Sequence, residues 1–574
     1  MGVEERVVAQ ERDAAPGHAS VLVRVLDRLS VWDEAVRSRW PFSSLVGADV
    51  SPDATGDSSH LLLRPAILGF LAICAITAGV AQQQSPFTLK APGAWFFGVP
   101  SASAATSAFK HPTTGLFFGL VAVYGGLVLL MRVWYGLIRS LSQRPGVPVR
   151  KIMAVFALWI LPLLIVAPLF SRDVYSYAAQ GEMMSHHISP YHYGPGVLGA
   201  APSVNLVDPL WLNTPAPYGP LFMQIDGTLT SASLHHELVD VILLRLLAIG
   251  GVGLMALGVA SLARSHRRDP AYVLTLAILN PVTVLHLVGG AHNDALMLGL
   301  LVCGIAVARR GRPVAGIVLC ALATAVKVPA AIGILYVGWE WMGAGIPLRA
   351  RIRPLLTAGL LSAGVMGALS LVTGLGWTWV LNLGAPGTVR SWVAPATGAG
   401  IVLTDAAHLV GIGAPLHTML TVTRAIGLCG ALGAGLWFLW RSERIGSLQA
   451  MGLTLLLVVT LGPVVQPWYL SWGLVLLAPV AQGKIRSLII GLSIASAFIG
   501  LPGGSKLLSL LLQADPLQVA VALLVCLAIF TVPLTPLQRQ RLLIHWRSRR
   551  GGGPGRGSGP QLGDARPDLD YLGV

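Results

Sequence analysis

Apolar runs of about 20 residues recur along nearly the whole chain, and this pattern constrains the fold more than any other feature of the sequence. Each run matches the hydrocarbon thickness of about 30 Å that an α-helix must cross to span a bilayer. A single soluble core stops growing at about 250–300 residues, so it accounts poorly for so many runs. The sequence therefore predicts an all-α polytopic membrane protein.

The predicted spans number about 14, each near the length that a bilayer requires. Their approximate positions are 62–82, 113–137, 152–170, 238–262, 271–288, 293–308, 313–326, 328–343, 355–373, 417–440, 448–463, 469–482, 486–502 and 517–534. The two segments within 313–343 are short for complete crossings. The number of spans therefore stays open by one or two at this point of the chain.

The charge distribution predicts the orientation in the membrane. Only 11% of the residues are charged, against about 25% in a soluble domain, while 54% are hydrophobic. The net charge of +15 comes from cations placed between the spans, so topology explains it and nucleic acid is not predicted as a partner. Arginine and lysine concentrate in alternate loops, near 144–151, 264–268, 309–312, 349–353, 441–444 and 484–486. By the positive-inside rule this face is cytoplasmic, in a multi-pass protein of the plasma (inner) membrane.

The same topology divides the chain into three regions. Residues 1–61 form a polar cytoplasmic extension without an evident cleavable signal peptide, 62–534 the transmembrane unit, and 535–574 a basic tail predicted to be disordered. The loops on the outer, periplasmic face are long and aromatic, and the longest covers about 171–236. Because binding and catalytic residues concentrate in loops held by a rigid scaffold, we expect the active site on the outer face.

The first candidate for chemistry is a carboxylate where the third span leaves the membrane, in the segment Ser-Arg-Asp-Val-Tyr-Ser-Tyr-Ala-Ala-Gln-Gly of residues 171–181. If this segment is helical, Asp173, Tyr177 and Gln180 share one face. A carboxylate fixed at the water–lipid boundary suits a general base that activates a hydroxyl nucleophile. An Asp that merely caps a helix N-terminus explains the pattern equally well.

A second polar group, His292, Asn293 and Asp294, lies at the outer turn before the sixth span. Polar residues at a membrane helix end are costly and usually functional, although helix capping is the alternative. Lys327 stands alone between two apolar segments, where it can reach the interface or bind a lipid phosphate. Arg172 and Arg390 are further outer cations suited to a phosphate.

Aromatic residues form a third group, with Trp468 and Tyr469 near the chain's end and Tyr218 in a Pro-rich turn of the main outer loop. Trp468 and Tyr469 fit either an interfacial belt or a sugar-binding surface, and the turn with Tyr218 either lines a site or only reverses the chain. The histidines of 186–193 lack the helical spacing of metal ligands with a carboxylate partner, so we read them as a polar loop. The five cysteines lie in apolar stretches without zinc spacing, and no nucleotide-binding glycine motif occurs. The sequence predicts no metal and no cofactor.

The pattern as a whole resembles the GT-C glycosyltransferases, polytopic enzymes with an aspartate early in the first large outer loop. Within them, four motifs in order are similar to the actinobacterial α-(1→6)-mannopyranosyltransferases that build the mannan core of lipomannan and lipoarabinomannan. They are the Asp173 segment, Ala-Pro-Tyr-Gly-Pro at 216–220, His-Asn-Asp-x-Leu-Met at 292–297 and Pro-Trp-Tyr-x-Ser-Trp at 467–472. The resemblance runs from about 62 to 534.

This resemblance implies a polyprenyl phosphate mannose donor, a phosphatidylinositol mannoside or lipomannan acceptor, and transfer with inversion. It implies that Asp173 is the general base. Lys327, Arg172, His292 and Arg390 are then the candidates for the donor phosphate. Candidates for sugar contacts are Tyr177, Gln180, Tyr218, Asn293, Asp294, Trp468 and Tyr469.

The N-terminal extension, Ser-Pro-Phe at 85–87 and the segment 93–100 look more like the type of enzyme that builds the proximal part of the mannan than the distal type. Other functions stay open at this point. A transporter or flippase of a lipid-linked saccharide would explain the spans without a catalytic base. A transferase of another sugar, such as arabinofuranose, is also compatible with the motifs.

Overall fold

A computed structural model describes residues 58–81, 85, 87, 112–499, 501 and 516–531 of the chain. Regular structure in these residues is helical, and no strand occurs among them. The predicted all-α fold is thereby confirmed for this part of the protein. Nearly all of the predicted N-terminal extension, the segment 93–100 and the tail 535–574 lie outside the described residues.

The described residues contain nineteen α-helices. In chain order, α1 to α10 are Ser58–Ala81, Pro112–Gln143, Val149–Ile160, Asp173–Ser185, Pro202–Leu206, Pro220–Ala232, Glu237–Ser265, Pro270–Ala277, Asp294–Arg309 and Pro313–Thr324. The helices α11 to α19 are Ala331–Glu340, Leu348–Thr373, Pro395–Leu409, Leu416–Trp440, Ser442–Ile445, Ser447–Leu461, Leu470–Leu477, Gly483–Ile499 and Pro516–Thr531. A π-helix covers Thr283–Val288, and 3-10 turns include Val328–Ala330, Thr378–Thr388 and Pro467–Tyr469.

Five of the described helices are long and apolar enough to cross a membrane. The segments concerned are Leu62–Ala81, Phe117–Gln143, Glu237–Ser265, Leu348–Thr373 and Leu416–Trp440. The other apolar helices are shorter, at 10–17 residues. The chain is thus a helical protein with several candidate membrane spans, while the predicted number of about 14 is not confirmed.

The predicted spans 152–170 and 271–288 are not continuous α-helices, and proline accounts for the break in each. The span predicted over 152–170 ends as an α-helix at Ile160, and Leu161–Leu164 continues as a 3-10 turn around Pro162. The span predicted over 271–288 stops at Ala277, and the π-helix follows Pro281. Proline lacks an N–H donor and its ring obstructs the preceding turn, so an α-helix seldom continues through it. Both interruptions lie next to segments that carry candidate site residues.

Glycines allow α9 to pack directly on the backbone of α7. A Cβ atom on Gly299 would lie 2.4 Å from the carbonyl oxygen of Gly251, and one on Gly251 would lie 2.5 Å from the carbonyl carbon of Ala295. Small residues at such crossings let membrane helices approach closely. The crossing fixes the first turn of α9, which carries Asp294, against α7.

Helix packing and side-chain hydrogen bonds join the segments of the predicted outer loops. Helix α4 packs on α6 within the longest of these loops. The Asn382 side-chain amide donates to the carbonyl oxygens of Tyr191 (3.0 Å) and Ala216 (3.2 Å), which joins the segment that follows α12 to this loop. These loop residues are thereby held in position relative to one another.

Candidate active site

Asp173 is the first residue of α4, and it is not a helix cap. Arg172 occupies the capping position, and no side chain caps this helix. The backbone N–H of Asp173 donates to Ser171 Oγ at 3.1 Å, and 20% of the Asp173 side chain is exposed. A carboxylate in the first turn is stabilised by the helix dipole. The geometry thus favours a functional carboxylate over the capping alternative.

The ionisation of Asp173 is set by opposing influences. Burial raises the pKa of the Asp173 carboxyl to about 6, and the nearby charge of Asp294 acts in the same direction. The ammonium of Lys327 and a hydrogen bond with Ser171 act against this rise in pKa. A carboxyl with such a pKa exchanges its proton near neutral pH, which is the property that a general base requires.

His292 stands next to Asp173 and is completely buried. Its Nδ1 atom lies 3.7 Å from Asp173 Oδ2, and its ring stacks on Trp468 with a centroid distance of 3.9 Å. Burial, followed by the charge of Lys327, lowers the pKa of His292 well below its ordinary value. The imidazole is therefore neutral, and it presents an N–H to its surroundings rather than a positive charge.

Asp294 and Lys327 form a buried ion pair. Lys327 Nζ donates to both carboxylate oxygens of Asp294, at 3.0 and 2.9 Å, and Trp472 Nε1 donates to Asp294 Oδ1 at 2.6 Å. Asp294 is 0% exposed and the Lys327 side chain 11%. A buried charge needs such compensation, because removing one partner leaves the other charge without water or counter-ion.

Three aromatic rings surround the Lys327 ammonium. The distances from Lys327 Nζ to the ring centroids are 4.7 Å for Tyr469, 5.6 Å for Trp472 and 5.7 Å for Tyr218. Each ring within about 6 Å contributes roughly 0.5–2 kcal/mol of cation–π attraction. We refer to these three rings as the aromatic cage. It keeps the ammonium in one position beside Asp173 and Asp294.

A backbone clamp places Tyr218 over Lys327. Gly219 N donates to the carbonyl oxygen of Val326 at 3.2 Å, and Leu221 N donates to that of Ala325 at 3.1 Å. A Cβ atom on Gly219 would lie 2.3 Å from the Ala325 carbonyl oxygen, so only glycine fits. The Pro-rich turn of 216–220 is thus fixed to the residues directly before Lys327.

Polar side chains without partners face this centre or lie beside it. Tyr177 packs edge-on against Tyr218 (5.2 Å) and Phe222 (5.1 Å), with its hydroxyl buried. Several buried polar atoms have no hydrogen-bond partner among the described residues: Gln180 Oε1, both amide atoms of Asn293, both ring nitrogens of His292 and Trp468 Nε1. Buried polar atoms in native proteins are almost always hydrogen-bonded, so this set indicates a site for a polar ligand.

Two turns with unusual backbone geometry lead into the site. Phe170, shortly before Asp173, has a φ of 61°, and Ala291, directly before His292, has a φ of 54°. Residues other than glycine adopt this conformation at a cost, and such residues cluster at functional sites. The π-helix ends just before the second turn, and π-helical turns are also frequent at functional sites.

Two of the predicted phosphate ligands do not join the cluster. The Arg172 guanidinium donates to the carbonyl oxygens of Leu206 (2.9 and 2.6 Å) and Val207 (2.7 Å), so it holds the main outer loop. Arg390 is exposed, and in the described part of the chain no hydrogen bond, ion pair or ring contact links it to the cluster. The described residues also contain no group of three or more His, Cys, Asp or Glu that could hold a metal.

The sequence did not single out Trp472, Phe222 or His286 as site residues. Trp472 stands three residues after Tyr469, and this i, i+3 spacing on a helix was the available signal for a shared face. Phe222 has the same relation to Gly219, in the turn that holds Tyr218. His286 lies within an apolar stretch, and its approach to Trp468, at 6.0 Å between ring centroids, depends on the fold.

The site combines a titratable carboxylate, a caged lysine and a set of unpaired polar groups in a helical membrane protein. This combination is suited to a membrane-bound transferase. Comparison with known proteins identifies the class. Residues 67–343 match the family model for the N-terminal domain of alpha-(1→6)-mannopyranosyltransferases, and residues 396–535 match that for the MptB C-terminal domain. The chain belongs to the alpha-(1→6)-mannopyranosyltransferase family and is a glycosyltransferase.

Two curated relatives illustrate the similarity. Alpha-(1→6)-mannopyranosyltransferase A of Mycobacterium tuberculosis is 31% identical over 458 residues, which cover 77% of this chain and 85% of that protein. Alpha-(1→6)-mannopyranosyltransferase B of Corynebacterium glutamicum is 31% identical over 397 residues, or 64% and 65% of the two chains. No solved structure matches the chain significantly. The family membership excludes the transporter and the arabinofuranose transferase as the principal function.

Proposed function

We propose that the protein transfers mannose from polyprenyl phosphate mannose to the 6-hydroxyl of a lipid-anchored mannoside, with inversion at the anomeric carbon and Asp173 as general base. The mannosyltransferase activity follows from the family, whereas the donor, the acceptor and the mechanism are the proposal. The observation that carries it is the placement of Asp173, whose pKa is about 6, between neutral His292 and caged Lys327.

Asp173 accepts the proton in the proposed step. As the O6–H bond of the acceptor breaks, the proton passes to an Asp173 carboxylate oxygen, and O6 forms a bond to the mannose C1. The bond from C1 to the phosphate oxygen breaks on the opposite face, and its electron pair leaves with polyprenyl phosphate. A β-linked donor thus yields an α-linked product. The neutral His292, with Nδ1 at 3.7 Å from Asp173 Oδ2, lies beside the carboxylate without quenching its charge.

Lys327 is the preferred ligand of the donor phosphate. Its ammonium lies near the carboxylate base and is held by Asp294 and the aromatic cage, and a fixed cation stabilises the negative charge that develops on the leaving phosphate. His292 is less suited to this role because its lowered pKa leaves it neutral. Arg172 is engaged with the outer loop through three hydrogen bonds, and Arg390 stands apart, so both rank below Lys327 as phosphate ligands.

The unpaired polar groups are suited to mannose hydroxyls. Gln180 Oε1 and the Asn293 amide have no hydrogen-bond partner among the described residues; Gln180 Oε1 can accept a hydrogen bond, and the Asn293 amide can donate and accept. The Tyr177 hydroxyl can also donate or accept one. Tyr218, Trp468 and Tyr469 provide ring surfaces for the apolar faces of the sugars. Asp294 binds Lys327 and Trp472, so its proposed part is to orient the lysine.

The reaction is proposed for the outer face of the plasma membrane, in a GT-C fold, with phosphatidylinositol mannoside or lipomannan as the acceptor. Support comes from the cation-rich alternate loops and from the position of Asp173 at the start of the longest cation-poor segment. The proximal mannan subtype is part of this proposal.

The test uses purified protein in detergent with radiolabelled polyprenyl phosphate mannose and a short α-(1→6)-mannoside lipid. We expect label transfer by the wild type that a chelator does not reduce, and at least about 10²-fold less transfer by Asp173→Asn. Asp405→Asn is the matched control, because Asp405 is an exposed carboxylate of α13. Equal transfer by Asp173→Asn would remove Asp173 from the mechanism. Transfer from GDP-mannose instead would overturn the proposed donor.

A further inference from the structure

Arg245 is a buried cation within α7, and the reaction described above assigns it no part. It lies eight residues from the start of the helix, or about 12 Å along its axis, and is 1% exposed. A charged side chain within a membrane-spanning helix is costly, and it persists where it serves the site or the fold. Its contacts show which backbone groups it binds.

The guanidinium joins two separate segments of backbone. Arg245 Nη1 donates to the carbonyl oxygen of Val166 at 2.8 Å, and Nη2 donates to that of Gly289 at 3.2 Å. Leu169 N also donates to the Gly289 oxygen, at 3.0 Å. The planar guanidinium offers donors in a fixed fork, so it sets the distance between the two carbonyl groups.

Both segments are the ones that end in the left-handed turns. Val166 lies four residues before Phe170, whose turn leads into Asp173. Gly289 lies two residues before Ala291, whose turn leads into His292. Such conformations persist only where the surroundings over-determine them. The three hydrogen bonds to the carbonyl oxygens of Val166 and Gly289 connect the segments that lead into the two turns.

We infer that Arg245 is a positioning residue of the transferase, which sets the distance between Asp173 and His292 by binding the two turns that carry them. The expected change in kcat rests on the proposed function. The expected change in hydrogen exchange rests on the hydrogen bonds alone. Arg245 touches neither substrate nor the reacting atoms in this scheme. Its effect passes through the backbone to the 3.7 Å contact between the base and the imidazole.

The test compares Arg245→Lys with the wild type by steady-state kinetics and by hydrogen exchange with mass spectrometry. A lysine retains the charge but lacks the fork that reaches both carbonyls. We expect kcat to fall about 10–100-fold, the range for lost supporting contacts, while KM for polyprenyl phosphate mannose stays within about twofold. Amides of residues 166–173 and 286–293 should exchange faster, and those of other helices should not.

Val252→Ala is the matched control, because Val252 is fully buried two turns further along the same helix. It should lower the unfolding temperature without changing kcat or the exchange of the two segments. A wild-type kcat in Arg245→Lys, exchange that rises uniformly, or a variant that does not fold would each overturn the inference. If the wild type transfers no mannose from this donor, the proposed function fails, and the exchange data alone decide the role of Arg245.

Discussion

At the scale of single residues, burial decides what each ionisable group does. Asp173, Asp294, His292 and Lys327 were predicted from the sequence because polar residues are rare near membrane helix ends. The sequence could not predict their charge states. His292 was a candidate cation for the phosphate, and its complete burial makes it a neutral neighbour of the base. Burial depends on which helices surround a residue, and a single chain's spacing does not contain that information.

The raised pKa of Asp173 predicts a pH dependence. The base must be ionised to accept a proton, so kcat/KM should fall about tenfold per pH unit below about 6 and level off above it. Because the pKa is raised, the loss begins closer to neutral pH than for an ordinary carboxylate. Initial rates in buffers of constant ionic strength measure the profile. A profile that is flat down to about pH 4.5 would contradict this assignment.

Lys327 gives a second prediction at this scale. Lys327→Met should reduce kcat about 10²–10³-fold, because the cation for the leaving phosphate is lost. It should also destabilise the fold, since Asp294 would remain buried without a counter-ion. The double variant Lys327→Met/Asp294→Asn should recover the unfolding temperature but not the activity. Recovery of activity in the double variant would show that Lys327 serves the fold alone.

At the scale of elements, the sequence predicted the positions of several helices well, but it did not predict where helices are interrupted. The spans predicted over 238–262, 293–308 and 417–440 coincide with Glu237–Ser265, Asp294–Arg309 and Leu416–Trp440, because hydrophobicity alone marks them. The spans over 152–170 and 271–288 are broken at proline, as described above. Apolar composition is unchanged across these breaks, so it carries no signal of the turns beyond them.

The clamp at Gly219 predicts a large effect from a small substitution. In Gly219→Ala, the new Cβ would meet the Ala325 carbonyl oxygen at 2.3 Å, so the turn must move and take Tyr218 away from Lys327. We expect kcat/KM to fall about 10²-fold, as for displacements of about 1 Å in other enzymes. Kinetics with Gly384→Ala, at an exposed position of the 3-10 turn Thr378–Thr388 with open space around it and no positive φ, provide the comparison. Equal rates for the Gly219 variant and the wild type would refute the clamp.

At the scale of the whole molecule, the part that matches the N-terminal family model is linked to the C-terminal part on the side predicted to be cytoplasmic. Arg351, buried at the start of α12, donates to the Trp339 carbonyl oxygen at 2.5 Å, stacks over the Trp339 ring and pairs with Glu443. Arg309 binds Glu340 at 3.5 Å and also bonds to Ser447. These contacts lie far along the chain from the Asp173 segment, and no sequence motif predicted them.

The contacts of Arg351 predict that its substitution lowers the stability of the fold and leaves catalysis unaffected. Arg351→Met should reduce the free energy of unfolding by about 1–3 kcal/mol, because buried hydrogen bonds to a charged group are lost. Transfer per folded molecule should stay at the wild-type level, since Arg351 contacts no site residue. Thermal unfolding in detergent, combined with kinetics on the folded fraction, measures both quantities. A fall in kcat with an unchanged unfolding temperature would be the opposite of this expectation.

The ion pair between Lys327 and Asp294 has a consequence for turnover. The donor is a phosphodiester with one negative charge, whereas the released polyprenyl phosphate is a monoester that carries up to two near neutral pH. A lone lysine would retain this more highly charged product more strongly than the substrate. Because Asp294 Oδ2 lies 2.9 Å from Lys327 Nζ, the ammonium is already shared, and its net pull on an anion is weaker. For the proposed reaction, we therefore expect polyprenyl phosphate to be released readily and to inhibit the enzyme only weakly.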